Sequence, residues 1–281
     1  MKRTCALVLV AGIAAACGGS NDEKQDGLAG GNIPPGDTPT VARHADFDES
    51  CLTKTIPDGQ MIQALVNLWK FEGMIEFGAK DLVDTQFRGQ EVKKLTLYDR
   101  VAYRPDSFPI YTDVYVDPSE MIFPLGVVQW GYDRNVSKYR RFEYQNRVTG
   151  KVGVPTLVGM KANESLSLIL IEYNEARPDP DPDSRRGHLD GLALDIEARR
   201  THVTVQYLGR ESISARESRY EDACKLKVSY YDSSRMPLLN TLFEGTLWLA
   251  ANAGPVKVTG GTTLGVDLLT GESAVKPVGE F

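Results

Sequence analysis

The sequence predicts a mainly β protein built as a large curved antiparallel sheet or partly open barrel, and three observations carry that prediction. Alternating apolar and polar residues recur from about residue 68 to residue 258, the period of a strand buried on one face. β-Branched and aromatic residues cluster in those runs, as in "SLSLILIEYNEA" and "CKLKVSYYDS", where they pack well on a pleated surface. No stretch of the same region sustains the 3.6-residue apolar period of a long amphipathic helix.

Taken in chain order, "DGQMIQALVN" at 58 to 67 suits either a short helical turn or the start of a strand. "LWKFEGMIEFG" then sets Trp69, Phe71, Gly73, Ile75 and Phe77 against Lys70, Glu72, Met74 and Glu76, the pattern of one strand. "VKKLTLYDRVAYR", "IYTDVYVD", "KYRRFEYQNRV", "SLSLILIEYNEA", "LALDIEARRTHVTVQYLG", "CKLKVSYYDS", "LFEGTLWLA" and "GPVKVTGG" follow as further strands. Two breaks divide them. "ARPDPDPDSRRGHLDG" at 176 to 191 alternates prolines with aspartates, and because each proline removes a ladder donor it reads as an exposed loop. "DSSRMPLLN" at 232 to 240 reads as a turn between two late strands.

Ahead of this region the chain has a different character. Lys2 and Arg3 precede an uncharged stretch from Cys5 to Ala16, a secretory signal pattern that is about 18 Å long as a helix and too short to cross roughly 30 Å of hydrocarbon. Ala14, Ala15 and Ala16 before Cys17 resemble a bacterial lipobox, with alanine at Ala14 where leucine is commoner. The resemblance implies cleavage before Cys17 and lipidation of its thiol; the alternative is an ordinary signal with Cys17 unmodified. Gly18 lacks the aspartate that often retains such proteins in the inner membrane, which points to the outer membrane. Residues 18 to 47, with "GLAGGNIPPGDTPT", carry no apolar period and read as a disordered tether. Residues 48 to 281 then form a single β-rich domain, after residues 1 to 17 as signal and anchor.

Charge narrows the partners. The chain has 32 basic and 38 acidic residues, and loss of Lys2 and Arg3 with the signal leaves 30 against 38, a net charge of -8. Nucleic acid is therefore not expected as a partner, since phosphate binding needs basic patches that release counterions. A membrane reached through the lipid anchor is expected, together with an apolar or amphipathic ligand or an envelope protein.

The stretches "RESISARESRYEDACKLKVSYY" at 210 to 231 and "FEGTLWLAANAGPVKV" at 243 to 258 resemble the C-terminal part of periplasmic proteins and lipoproteins of the DUF3108-like type. That resemblance implies a curved antiparallel sheet in the envelope and supplies no catalytic residues. The residues alone read as sheet construction: Cys224, Leu226 and Val228 share one strand face, and Gly254 and Pro255 turn the chain into the next strand.

Chemistry-bearing residues are scattered. His44, His188 and His202 show no metal-ligand spacing, and no Gly-x-Ser-x-Gly elbow occurs. Asp179, Asp181 and Asp183 in "DPDPDS" offer oxygen ligands for Ca²⁺, but without the glycine and distal glutamate of an EF-hand loop. Tyr132, Tyr139, Arg140, Arg141 and Tyr144 in "YDRNVSKYRRFEYQNR" form a candidate binding surface for sugar rings or anionic head groups, set against a plain hairpin with its aromatics in the core. No cofactor is implied. The expected function is non-enzymatic binding by an outer-membrane-anchored lipoprotein, and the alternative is a glycan-acting hydrolase that uses a carboxylate pair. Cysteine accounting completes the reading: Cys5 leaves with the signal and Cys17 takes lipid, so Cys51 and Cys224 remain in an oxidising compartment and are expected to pair.

Overall fold

The computed structural model describes residues 45–53, 56, 60–68, 74–99, 111–120, 122–130, 136–175, 195–216, 218–232, 241–251, 253–261 and 268–277. The segments "KKLTLYD", "YTDVYV" and "KYRRFEYQN" become strands as expected, and so does "PLGVVQW", which sequence reading left out. The strands are β1 (Gln60–Leu68), β2 (Met74–Phe87), β3 (Gln90–Asp99), β4 (Tyr111–Val116), β5 (Pro124–Trp130), β6 (Val136–Asn146), β7 (Ser165–Glu175), β8 (Asp195–Ala215), β9 (Ser218–Asp232), β10 (Thr241–Ala250), β11 (Gly254–Gly261) and β12 (Leu268–Pro277). Each pairs antiparallel with its chain neighbours, and β1 pairs with β12 from Gln60↔Pro277 to Leu68↔Leu269, so the sheet closes into an up-and-down barrel. Closure leaves no unpaired edge.

One sequence expectation changes here. The single strand read from Leu68 to Gly78 is instead the end of β1 and the start of β2, paired through Val66↔Ile75 and Ala64↔Phe77. Residues 69 to 73 of that stretch lie outside the described residues. The proline-rich stretch at 176 to 191 lies outside the described residues, as do residues 233 to 240 of "DSSRMPLLN".

The alternating faces sort cleanly. Thr201, Val203, Val205 and Tyr207 on β8 point inward beside Cys224, Leu226, Val228 and Tyr230 on β9, and they meet Leu168, Leu170, Phe142, Tyr144, Val114 and Val116 in one buried core. The intervening positions point outward and carry charge: Lys227 pairs with Glu244 at 2.7 Å, and Lys225 with Glu211 at 3.0 Å. This polarity is the reverse of a membrane-spanning barrel, which faces lipid with an apolar band.

One end of the barrel is sealed from within by the segment that leads into β1. Phe47, Cys51 and Leu52 are all buried there, although Phe47 was assigned by sequence to the end of the tether; a single aromatic in a polar run shows no period, so its burial could not be read. Phe47 N donates to Met160 O at 2.8 Å and Gly159 N donates to Phe47 O at 2.7 Å, which joins the segment to the β6–β7 connection. The Phe47 ring meets Tyr207 edge-on at 5.4 Å, and Tyr207 Oη donates to Ala45 O at 2.8 Å. Cys51, in a single 3₁₀ turn (Glu49–Cys51), is disulfide-bonded to Cys224 with Cα atoms 5.6 Å apart.

Arg210 completes the seal. It sits opposite Cys224 in the β8–β9 register, 6 % exposed, and its guanidinium reaches Asp48 at 2.7 Å, Asp222 at 2.8 Å, Ser50 Oγ at 2.9 Å and Asp46 O at 3.4 Å. On the far side of the seal Glu120, also buried, accepts from Leu157 N at 3.1 Å and from the Thr156 hydroxyl, fixing Leu157 against the core. Burial works against the Arg210 charge, but the bonds to Asp222 and Asp48 outweigh it and keep the guanidinium protonated.

The hydrogen bonds from Ser50 and the Arg210 contact hold the Asp48 carboxyl below its usual range despite the opposing effect of burial. A depressed carboxylate stabilises the fold above its unfolded pKa of about 3.9 and loses that contribution as pH falls through the lower folded value. The stability difference between wild type and Asp48→Asn, measured by urea unfolding across pH, should therefore be constant above about pH 5 and shrink as pH falls below about 4. A difference that stays flat down to the acid transition would remove Asp48 from the seal.

Candidate functional site

β6 carries most of the residues singled out from the sequence, and its alternation divides them. Tyr139 and Arg141 face outward, whereas Arg140 and Tyr144 share the inward face with Phe142. The surface expected from Tyr139, Arg140, Arg141 and Tyr144 is therefore two faces, because neighbours on a strand point to opposite sides. Tyr132 lies outside the described residues, as do Asp179, Asp181, Asp183, Cys17, His44 and His188.

The inward pair serves the core. Tyr144 Oη donates to Pro124 O at 2.8 Å, and burial, reinforced by Tyr230, pushes its phenol well above the usual range. Arg140 Nε stands 3.2 Å from Glu172 on β7 without hydrogen-bond geometry. Beside this pair, Phe123, Tyr144, Leu170, Leu226, Tyr230 and Leu247 enclose a cavity of about 20 Å³. That is room for about one water and too little for an apolar ligand.

The outward pair borders a much larger space. A groove of about 470 Å³ runs between the β2–β3 turn, the outer face of β6 and residues 152 to 154. Its construction begins at Arg88 and Gly89, whose φ values of 55° and 76° make the tight turn between β2 and β3. The turn lays Phe87 across the outer face of β5 at Gly126, where a Cβ would collide with its ring. Phe87 stacks on Tyr115 at 4.5 Å and packs with Val92, Leu125, Val128 and Tyr139 in a second core outside the barrel wall.

Polar groups line the upper side of the groove. Arg141 lies 4.0 Å over the Tyr173 ring and pairs with Glu143, which also accepts from Tyr173 Oη at 3.0 Å. Burial first, then the bond to Glu143, raises the Tyr173 phenol, with Arg141 pulling the other way. Arg88 Nε donates to Tyr139 Oη at 3.1 Å from the opposite rim. The groove thus joins an apolar floor of Phe87, Leu125 and Val154 to two guanidinium groups, with Glu143 as its one carboxylate. Such a lining suits a molecule with an apolar body and an anionic group. It does not supply the two facing carboxylates of glycoside hydrolysis. Among the described residues no cluster of three or more His, Cys, Asp or Glu side chains is placed to hold a metal.

Sequence reading missed Phe87, Arg88, Val154 and Tyr173 because Arg88 and Tyr139 are 51 positions apart. The glycine turn in "QFRGQEV" was the available signal.

No protein-family model matches the chain, and no curated protein matches it. The DUF3108-like resemblance at 210 to 258 thus gains no support from a family match. Two solved structures are similar in outline. One is an exported-protein candidate with a YmcC-like fold from Bacteroides fragilis, 10 % identical with a TM-score of 0.38, covering 79 % of this chain and 97 % of that one. The other is a lipoprotein candidate from Parabacteroides distasonis, also 10 % identical with a TM-score of 0.38, covering 82 % of this chain and all of that one. At that level of similarity neither assigns a family or a function.

If Phe87 on Gly126 builds the groove floor, Gly126→Ala should displace the ring and cost about 1–3 kcal/mol by overpacking. Urea unfolding measures the loss, and the double variant with Phe87→Ala should recover part of the Gly126→Ala strain in a mutant cycle. Strict additivity of the two losses would show that the contact is not formed.

Proposed function

We propose that this chain is a lipid-anchored protein of the bacterial cell envelope whose sealed barrel is a non-enzymatic binding module, with the outer-face groove as its ligand site. The anchor in this reading is Cys17, and the membrane is the outer one, as Gly18 suggests. The Cys51–Cys224 disulfide favours an exported location, because structural disulfides persist in oxidising compartments. The ligand class is amphipathic with an anionic group. The observation that carries this choice is the groove of about 470 Å³, which sets the guanidinium groups of Arg88 and Arg141 beside an apolar floor of Phe87, Leu125 and Val154.

Native mass spectrometry of the lipidated protein, extracted in mild detergent, tests the reading. An acidic amphipathic molecule should accompany the wild type and be lost from Arg88→Asp, a substitution that keeps a residue tolerant of positive φ and leaves the melting temperature close to wild type. Retention of the molecule by the variant would place the site elsewhere. Metabolic labelling with palmitate checks the anchor separately: label in the wild type and none in Cys17→Ala is expected.

A further inference from the structure

Residues 147–164, which connect β6 to β7, contain Arg147, Lys151 and Lys161 against one acidic residue, Glu164, which accepts from Lys161 N at 2.9 Å at the C-terminal end of the connection. All three cations are exposed. The same segment holds three of the four exposed large hydrophobic residues among those described, Val148 at 87 %, Val152 at 59 % and Val158 at 38 %. A scattered exposed valine is ordinary, but three of them with cations between is a surface made for two environments.

These valines are held in place. Asn146 Oδ1 accepts from Val148 N and Thr149 N, both at 2.9 Å, Gly150 N donates to Asn146 O at 2.8 Å, and Asn146 N donates to Lys151 O at 2.9 Å. The tip that displays Val148 is a hydrogen-bonded turn, and the exposure is fixed by the backbone. Farther along, Leu157 and Met160 of the same segment are buried in the seal, so the exposed valines are carried on a support anchored in the core.

Position gives the second line of argument. Gly159 and Met160 are hydrogen-bonded to Phe47, where the chain from Cys17 enters the barrel. The 27 residues between Cys17 and Ala45 can span up to about 95 Å when extended, so the tether permits contact with the bilayer and does not impose it. Charge decides the matter. The chain as a whole is acidic and has no general attraction to anionic lipid, whereas this segment is locally cationic and apolar, the combination that binds an anionic membrane interface.

We propose that residues 147–161 form a bilayer-contact loop that seats the sealed end of the barrel on an anionic leaflet. Val148 and Val152 enter the head-group boundary and Arg147, Lys151 and Lys161 meet lipid phosphates. Val152 also lines the groove, so the groove opens beside the membrane from which an amphipathic ligand would come. This inference rests on the reading of the protein as membrane-anchored.

The test uses the full lipidated protein with an environment-sensitive fluorophore at Val148→Cys, and a control label at Lys227→Cys on the outer face of β9, mixed with vesicles carrying spin-labelled lipid. With phosphatidylglycerol in the vesicles, the label at 148 should be quenched at least threefold more than the label at 227. Neutralisation of Arg147, Lys151 and Lys161 to glutamine should weaken the contact about fivefold per residue. Equal quenching at the two positions, or no dependence on phosphatidylglycerol, overturns the loop proposal; a protein partner for this surface would give that result. The same labels on Cys17→Ala separate loop from anchor. Flotation of the wild type without quenching at 148 leaves the anchor standing and removes the loop, and quenching at 148 that is unchanged in Cys17→Ala keeps the loop and removes the anchor.

Discussion

The constraint on which this structure depends is the packing of two segments from outside the sheet into the core of a closed barrel. About eight strands enclose a space that their own side chains can occupy, and twelve enclose more. The strands of this chain contribute a large inward apolar set, yet the core also takes in Phe47, Cys51 and Leu52 from one segment and Leu157 and Met160 from another. Neither segment belongs to the sheet. They are tied to each other through Phe47 and Gly159, to β9 through the disulfide and to β8 through Arg210. On the chain-entropy model a bridge across 173 positions limits the unfolded state by up to about 5 kcal/mol, a large share of a typical domain's 5 to 15.

The outer wall carries a site of its own. The groove at Phe87 and Arg141 arises where a hairpin tip folds back over the wall. The groove, the tether junction and the exposed valines of the β6–β7 connection all belong to the end that is sealed. Ligand site, chain exit and proposed membrane contact are thereby gathered on one part of a rigid body, and the charged outer faces of β9 and β10 remain for solvent.

Most strands were legible, because period-2 alternation is a local property, but β5 and β12 were not read: "PLGVVQW" sets two valines side by side and "LLTGESAVKP" has no regular alternation. Cys51 and Cys224 were legible as a pair because counting left no other partner for either. Closure was not, since the β1–β12 pairing joins Gln60 to Pro277 and no local pattern encodes it. The seal was hidden for a related reason: Phe47 and Arg210 each stand alone in sequence, and their meaning comes from 160-residue contacts such as Arg210 to Ser50. The candidate surface on β6 failed differently. Alternation already places Tyr139 and Arg140 on opposite faces, so the cluster of aromatics and cations looked denser in the sequence than it is on either side of the sheet.

The central claim is that the segment from Phe47 to Leu52 is part of the barrel's cooperative core. Native-state amide hydrogen exchange measures this directly, through the protection of Phe47 N relative to the amide of Leu226 at the heart of β9. The account predicts that both amides exchange only on global unfolding in the oxidised protein, and that both lose protection together in Cys51→Ala/Cys224→Ala. Fast exchange at Phe47 with Leu226 still protected would contradict it, and would make the segment an appendage to a barrel that is stable without it.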